Sequence, residues 1–462
     1  MKSLVVAALL ATASSAQAPE IPDTPAGRVL AAWVSAVNSG NEAKAQAYAD
    51  KYHRKSTGKD YVGLHQALGD LTVLKIEKNE PNDVVVVLGE ANFDEALRSE
   101  FKTDPADPDK LVFAQSAGTD RPDDVAIPRL ARDAALKATI ARVEAGAAKD
   151  KYMGVVLIED HGRILLEKAW GYGDREKKIP LKVTDKFRLG SMNKMFTAVA
   201  TLQLVGQGKL SLDGTVGQYL PGYPNKEIAD KVTIRMLLTH VGGTGEIFGD
   251  EFDKHRLELK TLDDYVTLYG ARGPEFPPGS TTSYSNYGFI LLGAIVAKAS
   301  GEDYYDYVRD HIFKPAGMTD SGSLPETESV PGRVNGYTDN NGKWVLNTDT
   351  LPWRGTSAGG GYSTLADLLK FAHAMMDGKL LPADLRDAAT RSETNGDWYG
   401  YGFELHGTGL AHSYGHTGGA PGMATEMRVY PQVKVVAIEL SNIDPGAPAI
   451  ASYYTNRMPL VP

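Results

Sequence analysis

The chain has 462 residues, of which 42% are hydrophobic, so it is long enough for more than one domain with a packed core. Its formal net charge is −9 without any stripe of basic residues, which argues against nucleic acid or an anionic membrane surface as the main partner. Cysteine is absent from the sequence. Disulfides, a thiol nucleophile and cysteine metal ligands are therefore excluded together.

The N-terminus has the three-part layout of a secretory signal: a lysine, an apolar run from Leu4 to Ala13, and then small residues. We predict a signal peptide over residues 1–16, cleaved after Ala16, because a later cut would meet Pro19. This apolar run is too short to span a bilayer, and no later segment reaches about 18 uninterrupted apolar residues. The sequence therefore predicts a periplasmic or secreted protein with no membrane span.

Residues 19–122 predict a small α+β domain. Thr24-Pro25 is a helix cap followed by a first-turn proline, and a second helical stretch continues through Tyr48. Four strand-like runs separated by turn residues come next, at 71–78, 83–90, 95–102 and 110–117. Helices before an antiparallel meander resemble the layout of NTF2-like domains. The histidines here, His53 and His65, are isolated, so we expect this domain to recognise or position a ligand rather than to catalyse.

A polar, proline-containing linker over residues 123–128 leads into a second domain over residues 129–462. Two β runs joined at His161-Gly162 follow a first helix, and two more β runs lie near the end of the chain. Helical stretches are predicted between these pairs, at 191–206, 287–300 and 363–377. Strands from both ends of the domain imply a single sheet that encloses a helical middle.

Ser191 and Lys194 open the predicted helix over residues 191–206, in the stretch LGSMNKMF. Residues three apart on a helix share a face, with Cβ atoms about 5–6 Å apart, so the amine can reach the hydroxyl. A lysine accepts a serine proton when its pKa is lowered, and the apolar stripe of this helix provides the burial that lowers it. The first-turn position also leaves the Ser191 N–H free for an oxyanion. The Ser-x-x-Lys pattern recurs at Ser56/Lys59 and Ser99/Lys102. From this motif alone, the alternative that Ser191 is only a helix cap and Lys194 a solvated lysine therefore stays open.

Tyr284-Ser285-Asn286 ends a turn-rich loop just before a strongly apolar helix. A tyrosine beside a cation can shuttle a proton, and an asparagine amide can orient a substrate or hold the lysine. The Tyr-x-Asn pattern also occurs elsewhere in the chain, so a turn residue beside a buried aromatic remains the alternative for this motif alone.

His416-Thr417-Gly418-Gly419 leads into the last pair of β runs. Glycines on an edge strand let a substrate approach the backbone and expose a free N–H group. A similar His-x-Gly-Gly stands at His240, where we expect a structural histidine.

In chain order, these three motifs resemble those of the β-lactamase and penicillin-binding-protein superfamily. The pattern is most similar to the class C β-lactamase-like serine hydrolases, which include D-alanyl-D-alanine carboxypeptidases, D-aminopeptidases and family VIII carboxylesterases. Supporting stretches are VTIRMLLTHVGG, YSNYGFILLGAIV, GGGYSTLADLLKF and GHTGGAPGM. The resemblance covers residues 130–445 and implies a fold of the α/β (α+β) class. An antiparallel sheet would be flanked by helices, with an all-helical middle region.

The resemblance also implies roles for individual residues. Ser191 would be the acylated nucleophile, with Lys194 as its base partner. Tyr284 would relay protons during acylation and to the deacylating water, and Asn286 would be a polar support.

On the terminal strand, His416 stands where many members carry a lysine, and Thr417 would contact the substrate together with Gly418. The oxyanion hole would consist of the N–H groups of Ser191 and Gly419. A histidine is cationic only part of the time near neutral pH, so His416 disfavours a dedicated β-lactamase.

These features predict a secreted serine hydrolase that acts on esters or on small amides and peptides, with a small-molecule substrate and without a metal or other cofactor. A β-lactamase is the first alternative. An alternative of another class is a non-catalytic protein that binds a ligand or partner on a hydrolase scaffold. Four aromatic residues in loop-like stretches either line the cleft or pack in the core or a lid: Trp344, Trp353, Trp398 and Tyr399.

Overall fold

The computed structural model describes residues 19–52, 56–94, 96–119, 121–340, 342–392, 398–444 and 449–462. The chain divides into two compact units, the first ending at Ile127 and the second beginning at Pro128. The predicted signal peptide over residues 1–16 lies outside the described residues, and so does His53 of the first predicted domain. Among the described residues, no helix combines the length and the apolar character needed to cross a bilayer.

The first unit consists of helices followed by an antiparallel meander. Its elements are α1 Pro25–Asn38, α2 Glu42–Lys51, α3 Gly58–Leu68, β1 Leu71–Glu80, β2 Asp83–Glu90, β3 Ala96–Asp104 and β4 Asp107–Thr119. The four strands pair in sequence order, β1-β2-β3-β4, and every pair is antiparallel. The two predicted helices and the four predicted strands occur in the expected order, whereas helix α3 was not predicted. The resemblance to NTF2-like domains stays a prediction.

Helix α1 covers one face of this meander. The Thr24 hydroxyl accepts a hydrogen bond from Gly27 N–H at 3.1 Å and caps the helix, while Pro25 occupies its first turn. Apolar residues at helical spacing then face the sheet, and the Trp33 ring lies 5.4 Å from that of Phe101 between ring centroids. This unit therefore has its own hydrophobic core.

The second unit contains the longer list of elements. Its helices are α4 Arg132–Ala148, α5 Asn193–Gly206, α6 Val216–Tyr219, α7 Lys226–Lys231, α8 Ile234–Leu238, α9 Asp250–His255, α10 Leu262–Tyr269, α11 Asn286–Ser300, α12 Tyr304–Val308, α13 Lys314–Ala316, α14 Leu365–Met376, α15 Ala383–Ala389 and α16 Ile450–Thr455. Its strands are β5 Gly154–Asp160, β6 Arg163–Trp170, β7 Tyr172–Asp174, β8 Ile179–Pro180, β9 Phe187–Arg188, β10 Tyr337–Asn340, β11 Lys343–Leu346, β12 Tyr362–Ser363, β13 Glu404–His406, β14 Ser413–Ala420, β15 Met423–Tyr430, β16 Val435–Ser441 and β17 Ile443–Asp444.

The main sheet combines strands from both ends of this unit in the order β13-β14-β15-β16-β5-β6. Strand β16 pairs antiparallel with β5, so the predicted single sheet is confirmed. Strands β5 and β6 are joined at His161 and Gly162, whose φ angles of 51° and 76° are those of a tight hairpin turn. The middle region is mainly helical and also carries short strands of two to four residues, which are too brief to show a periodicity in the sequence.

Alternate side chains of β5 enter two different hydrophobic cores. Val155 and Leu157 join the helices of the middle region, whereas Val156 and Ile158 pack with the terminal helices α4 and α16. The sheet thus lies between two helical layers, and a strand buried on both faces reads as a continuous apolar run. The central helix α5 is buried around most of its circumference, which removes from water even the polar side chains in its first turn.

We predict that Phe196→Ala destabilises the second unit by about 3–5 kcal/mol, because it opens a cavity in the main core. The Phe196 ring of α5 lies 5.0 Å from the Phe313 ring and 4.9 Å from the Phe371 ring between centroids. Urea denaturation of the full chain measures this loss. Phe248→Ala is the matched control, since Phe248 is 59% exposed and its truncation should cost under about 1 kcal/mol. Equal losses for the two variants would contradict the assignment of this core.

Candidate active site

Ser191 and Lys194 lie where the chain enters helix α5. Ser191 is half-buried in a turn of 3-10 helix, Gly190–Met192, and Lys194 follows in the first turn of α5. The Lys194 Nζ atom donates to Ser191 Oγ at 3.1 Å. The structure therefore brings the predicted pair into contact. The Ser99/Lys102 motif of the first unit differs, because the Ser99 hydroxyl contacts Ser116 at 2.8 Å and Lys102 pairs with Glu100 at 2.8 Å.

The Lys194 amine is fully buried and is held by three oxygen atoms from distant parts of the chain. Besides Ser191 Oγ, it donates to Asn286 Oδ1 at 2.7 Å and to the Ala358 carbonyl oxygen. Burial lowers the pKa of Lys194 from 10.5 to about 7, while the nearby carboxylates of Glu246 and Glu404 raise it and limit the shift. A large share of the molecules therefore carries a neutral amine beside the serine at neutral pH.

Tyr284 covers this pair. The Lys194 Nζ atom lies 4.7 Å from the centroid of the Tyr284 ring. Burial raises the pKa of Tyr284 well above 10.0, and a hydrogen bond with Ser191 lowers it in part. Tyr284 thus keeps its proton at neutral pH. Its hydroxyl is placed to exchange that proton with the Ser191 hydroxyl.

Asn286 connects the lysine to an acidic residue that the sequence analysis does not identify. Its amide oxygen accepts from Lys194, and its Nδ2 donates to Glu246 Oε2 at 2.7 Å. Ser285 caps helix α11 by accepting from Gly288 N–H, and this fixes Asn286 at the first position of the helix. The amide therefore acts as a rigid link between Lys194 and Glu246.

His240 packs directly behind Tyr284, in line with the structural role expected for it. Its Nδ1 accepts from Ser285 N–H at 3.1 Å, and its ring centroid lies 4.3 Å from that of Tyr284. Burial lowers the pKa of His240 well below 6.5, and the neighbouring Lys194 and His416 lower it further. His240 is therefore a neutral ring that supports the tyrosine.

His416 is also buried, and both of its ring nitrogens are engaged by the protein. Nδ1 donates to the Thr417 carbonyl oxygen, so Nε2 accepts from the Tyr399 hydroxyl at 2.9 Å. Burial lowers the pKa of His416 below 6.5, although Glu404 raises it. The sequence predicts a histidine that is protonated part of the time near neutral pH. In the structure, burial lowers its pKa more than the Glu404 carboxylate raises it, so the His416 ring is neutral near pH 7.

Thr417 is exposed on β14 and is held by Glu404, a second acidic residue that the sequence analysis does not identify. Its hydroxyl donates to Glu404 Oε1 at 2.6 Å, and its N–H donates to Glu404 Oε2 at 3.1 Å. Burial raises the pKa of Glu404, but His416, Arg428 and the Thr417 hydrogen bonds outweigh it and lower the pKa below 4.5. The carboxylate is therefore ionised at neutral pH.

Gly418 and Gly419 allow β14 to run against the segment that precedes Ser191. A Cβ atom on Gly418 would lie 2.0 Å from Leu189 O, and one on Gly190 would lie 3.1 Å from Gly419 N. Among the described residues, strand β13 pairs only with the first three residues of β14, and beyond them the Thr417 N–H is bound by the Glu404 side chain. This arrangement brings the Gly419 amide close to the turn that carries Ser191, as an oxyanion hole requires.

The four aromatic residues of the loop-like stretches separate into different environments. Tyr399 binds His416, and the half-exposed Trp398 ring is parallel to that of His240 at a centroid distance of 6.4 Å. Trp344 donates to Asp150 at 3.0 Å instead, and Trp353 lines a separate cavity. Only Trp398 and Tyr399 therefore stand beside the Ser191 site.

The residues missed from the sequence, Glu246 and Glu404, follow no spacing rule that could identify them. Each is an isolated glutamate in a glycine-containing loop or short strand, and each reaches the site only through the tertiary fold. The Ala358 carbonyl belongs to the backbone, so the type of residue at this position cannot indicate that it accepts a hydrogen bond from Lys194.

The region of the chain that holds this site is similar to known proteins. The family model described as Beta-lactamase matches residues 139–457. Penicillin-binding protein 4* of Bacillus subtilis is 31% identical over 320 residues, which cover 64% of this chain and 69% of that protein. Esterase EstB of Burkholderia gladioli is 31% identical over 295 residues, which cover 54% of this chain and 74% of that protein.

A solved structure extends the comparison to amide chemistry. The D-stereospecific amidohydrolase from Streptomyces sp. is 27% identical, with a TM-score of 0.57, and the match covers 68% of this chain and 96% of that one. The family match spans more than half of the chain and includes every residue of the site described above. The chain therefore belongs to the β-lactamase and penicillin-binding-protein superfamily of serine hydrolases.

Proposed function

We propose that this protein hydrolyses esters or small amides and peptides through an acyl-enzyme on Ser191. The observation that carries the proposal is the contact of 3.1 Å between Ser191 Oγ and the buried Lys194 amine, whose pKa is about 7. A serine hydroxyl becomes a useful nucleophile when a neutral base of this kind accepts its proton. The esterase and the D-stereospecific amidohydrolase among the similar proteins support both substrate classes.

The proposed reaction has two halves. Ser191 Oγ attacks the substrate carbonyl carbon as its proton passes to Lys194, and the oxyanion accepts hydrogen bonds from Ser191 N–H and Gly419 N–H. Tyr284 then delivers a proton to the departing alcohol or amine while it takes one from Lys194. In the second half, water attacks the acyl carbon through the same residues, and Ser191 regains its proton when the acid leaves.

The remaining residues support this chemistry. Asn286 holds the Lys194 amine in place through its amide oxygen. Thr417, exposed beside the proposed oxyanion hole, would contact the substrate, and Gly418 would let it approach the strand. His416 would act as a support that fixes Tyr399 and the backbone of Thr417.

The charges around Lys194 favour neutral or cationic substrates. Glu246 and Glu404 both act on the amine as negative charges, and the buried His416 supplies no compensating cation near pH 7. A substrate carboxylate would therefore meet repulsion, which makes carboxylate-bearing β-lactams less favoured than simple esters or amino-acid amides.

We also propose export of the protein to the periplasm or the cell exterior through residues 1–16, on the basis of their three-part layout. Fusion of residues 1–18 to a reporter that is active only after export tests this proposal.

Ser191→Ala is expected to lower hydrolysis at least 10³-fold for every substrate that the parent accepts, because the nucleophile is lost. A panel of p-nitrophenyl esters, D-amino-acid amides and nitrocefin measures the effect. Ser56→Ala is the matched control, since Ser56 begins a Ser-x-x-Lys in the other unit and should leave turnover unchanged. Full activity of Ser191→Ala would remove the proposal, and a folded parent that no fluorophosphonate labels would favour a non-catalytic binding protein.

The rate at which a fluorophosphonate labels Ser191 is expected to rise with pH through an inflection near 7. The lysine acts as a base only when it is unprotonated, and the pKa of Lys194 is about 7. Lys194→Arg should lose at least about 10²-fold in rate between pH 6 and 9, because a guanidinium stays protonated there. Lys209→Arg, at an exposed position beyond α5, is the control and should keep the parent profile. A flat profile in the parent would exclude Lys194 as the titrating base.

Glu404→Gln is expected to reduce the discrimination against anionic substrates by about tenfold, since it removes one of the two carboxylates near the amine. The readout is the ratio of kcat/KM for p-nitrophenyl butyrate to that for p-nitrophenyl hemisuccinate. Glu258→Gln, which removes a carboxylate whose side chain is 74% exposed, should leave this ratio unchanged. A parent enzyme that prefers the hemisuccinate would refute the electrostatic argument.

A further inference from the structure

The second unit contains a cavity of about 440 Å³ whose lining includes none of Ser191, Lys194 and Tyr284. Its walls come from strand β9, the end of α9, and two loops around residues 326–335 and 348–353. This volume lies within the range of about 300–1,000 Å³ that is typical of small-molecule sites. The proposed hydrolysis makes no use of this space.

Three guanidinium groups line the cavity, with one carboxylate among them. Arg188 binds Glu326 in a bidentate manner, Nε to Oε1 at 3.1 Å and NH2 to Oε2 at 2.7 Å. Arg333 NH2 approaches the same Oε2 at 3.0 Å. One carboxylate is thus shared by two cations, and Arg256 adds a third. The charged side chains of the lining carry a surplus of two positive charges, in a chain whose net charge is −9.

Much of the hydrogen-bonding capacity of two of these groups is unused. The Arg333 side chain is only 9% exposed, and within the described residues its hydrogen bond goes from NH2 to Glu328 O at 3.3 Å. Among the residues that the structure describes, the Arg256 side chain donates a hydrogen bond to Leu351 O at 2.6 Å. Each guanidinium carries five N–H donors. Burial lowers the pKa of Arg333 and Arg188 lowers it further, whereas Glu326 and Tyr362 raise it.

All three arginines bond the surrounding loops, and Arg188 does so with the largest number of contacts. Arg188 uses its third contact on Val334 O at 3.1 Å, so its donors fasten the loop from both sides. Arg256 and Arg333 also line the cavity, and they make fewer hydrogen bonds to the protein than Arg188 does. An anion bound in the cavity would accept hydrogen bonds from both, because a guanidinium fork matches the oxygens of a carboxylate or phosphate.

The rest of the lining determines the shape of the ligand. Trp353, Leu351 and Pro352 form an apolar wall together with Leu257 and Val330. We propose that this cavity is a second binding site, distinct from the Ser191 site, for a small molecule in which a carboxylate or phosphate is joined to an apolar or aromatic group. Arg256 and Arg333 bind the anionic group, and the Trp353 wall receives the apolar part.

Isothermal titration calorimetry on the full chain at constant ionic strength tests the site with four probes: phenyl phosphate, benzoate, benzyl alcohol and benzylamine. The two anions are expected to bind at least tenfold more tightly than the neutral and cationic compounds of the same size. The ratio between phenyl phosphate and benzoate identifies the preferred anion. The parent protein is also titrated after fluorophosphonate labelling of Ser191, and binding is expected to persist because the cavity does not include Ser191.

Two variants locate the binding site. Arg256→Gln should weaken phenyl phosphate binding at least tenfold, and Arg333→Lys, which keeps the charge but loses the fork, should weaken it to a smaller extent. Lys254→Gln is the matched control, because Lys254 lies in the last turn of α9 just before Arg256, pairs with Glu251 at 2.9 Å and is outside the lining. Unchanged thermal unfolding midpoints show that the variants fold.

Three results would overturn the proposal: no preference of the parent for the anions, loss of binding after labelling of Ser191, or equal binding by the parent and Arg256→Gln. The parent experiments decide the matter even where a variant fails to fold.

Discussion

The burial of the Lys194 amine is the constraint on which the rest of the site depends. An ammonium group removed from water is costly unless hydrogen bonds compensate it, and burial favours its neutral form. Ser191 Oγ, Asn286 Oδ1 and Ala358 O surround the nitrogen and satisfy it in either state of charge. The Lys194 amine can therefore be unprotonated near neutral pH. One of its three oxygen partners is the Ser191 hydroxyl, which is the group proposed to react.

The fold provides this environment by bringing three distant segments to the first turn of α5. The apolar cores bury the helix itself, α11 presents Asn286 at its first position, and a glycine-rich loop supplies the Ala358 carbonyl. That loop is tight: Gly360 has a φ of 93°, and a Cβ there would lie 2.5 Å from Gly355 Cα. Larger residues would separate these backbones, so the glycines position an acceptor that no side chain provides.

The sequence predicted those parts of the site that depend on local patterns. Ser191 and Lys194 come together because their spacing places them on one face, and Tyr284 and Asn286 because a capped apolar helix begins there. The limits of the three helices predicted in the middle of the second unit agreed to within two residues, and the sheet followed from β runs at both ends. Glu246 and Glu404 could not be predicted, because only long-range packing of the chain brings these isolated glutamates to the site. The neutral state of His416 could not be predicted for the same reason, since burial is a tertiary property.

The carboxylates of Glu246 and Glu404 also balance the availability of the neutral Lys194 amine against its strength as a base. Burial alone would lower the pKa of Lys194 further and give an abundant but weakly basic amine, whereas Glu246 and Glu404 raise the pKa to about 7. A base is most effective when its pKa lies near the working pH, because availability and strength are then balanced. An anionic substrate would add a third negative charge and raise the pKa again, so that fewer molecules would carry the neutral amine. Repulsion in binding and loss of the free base would then act in the same direction, so the proposed preference for neutral or cationic substrates would depend on both glutamates.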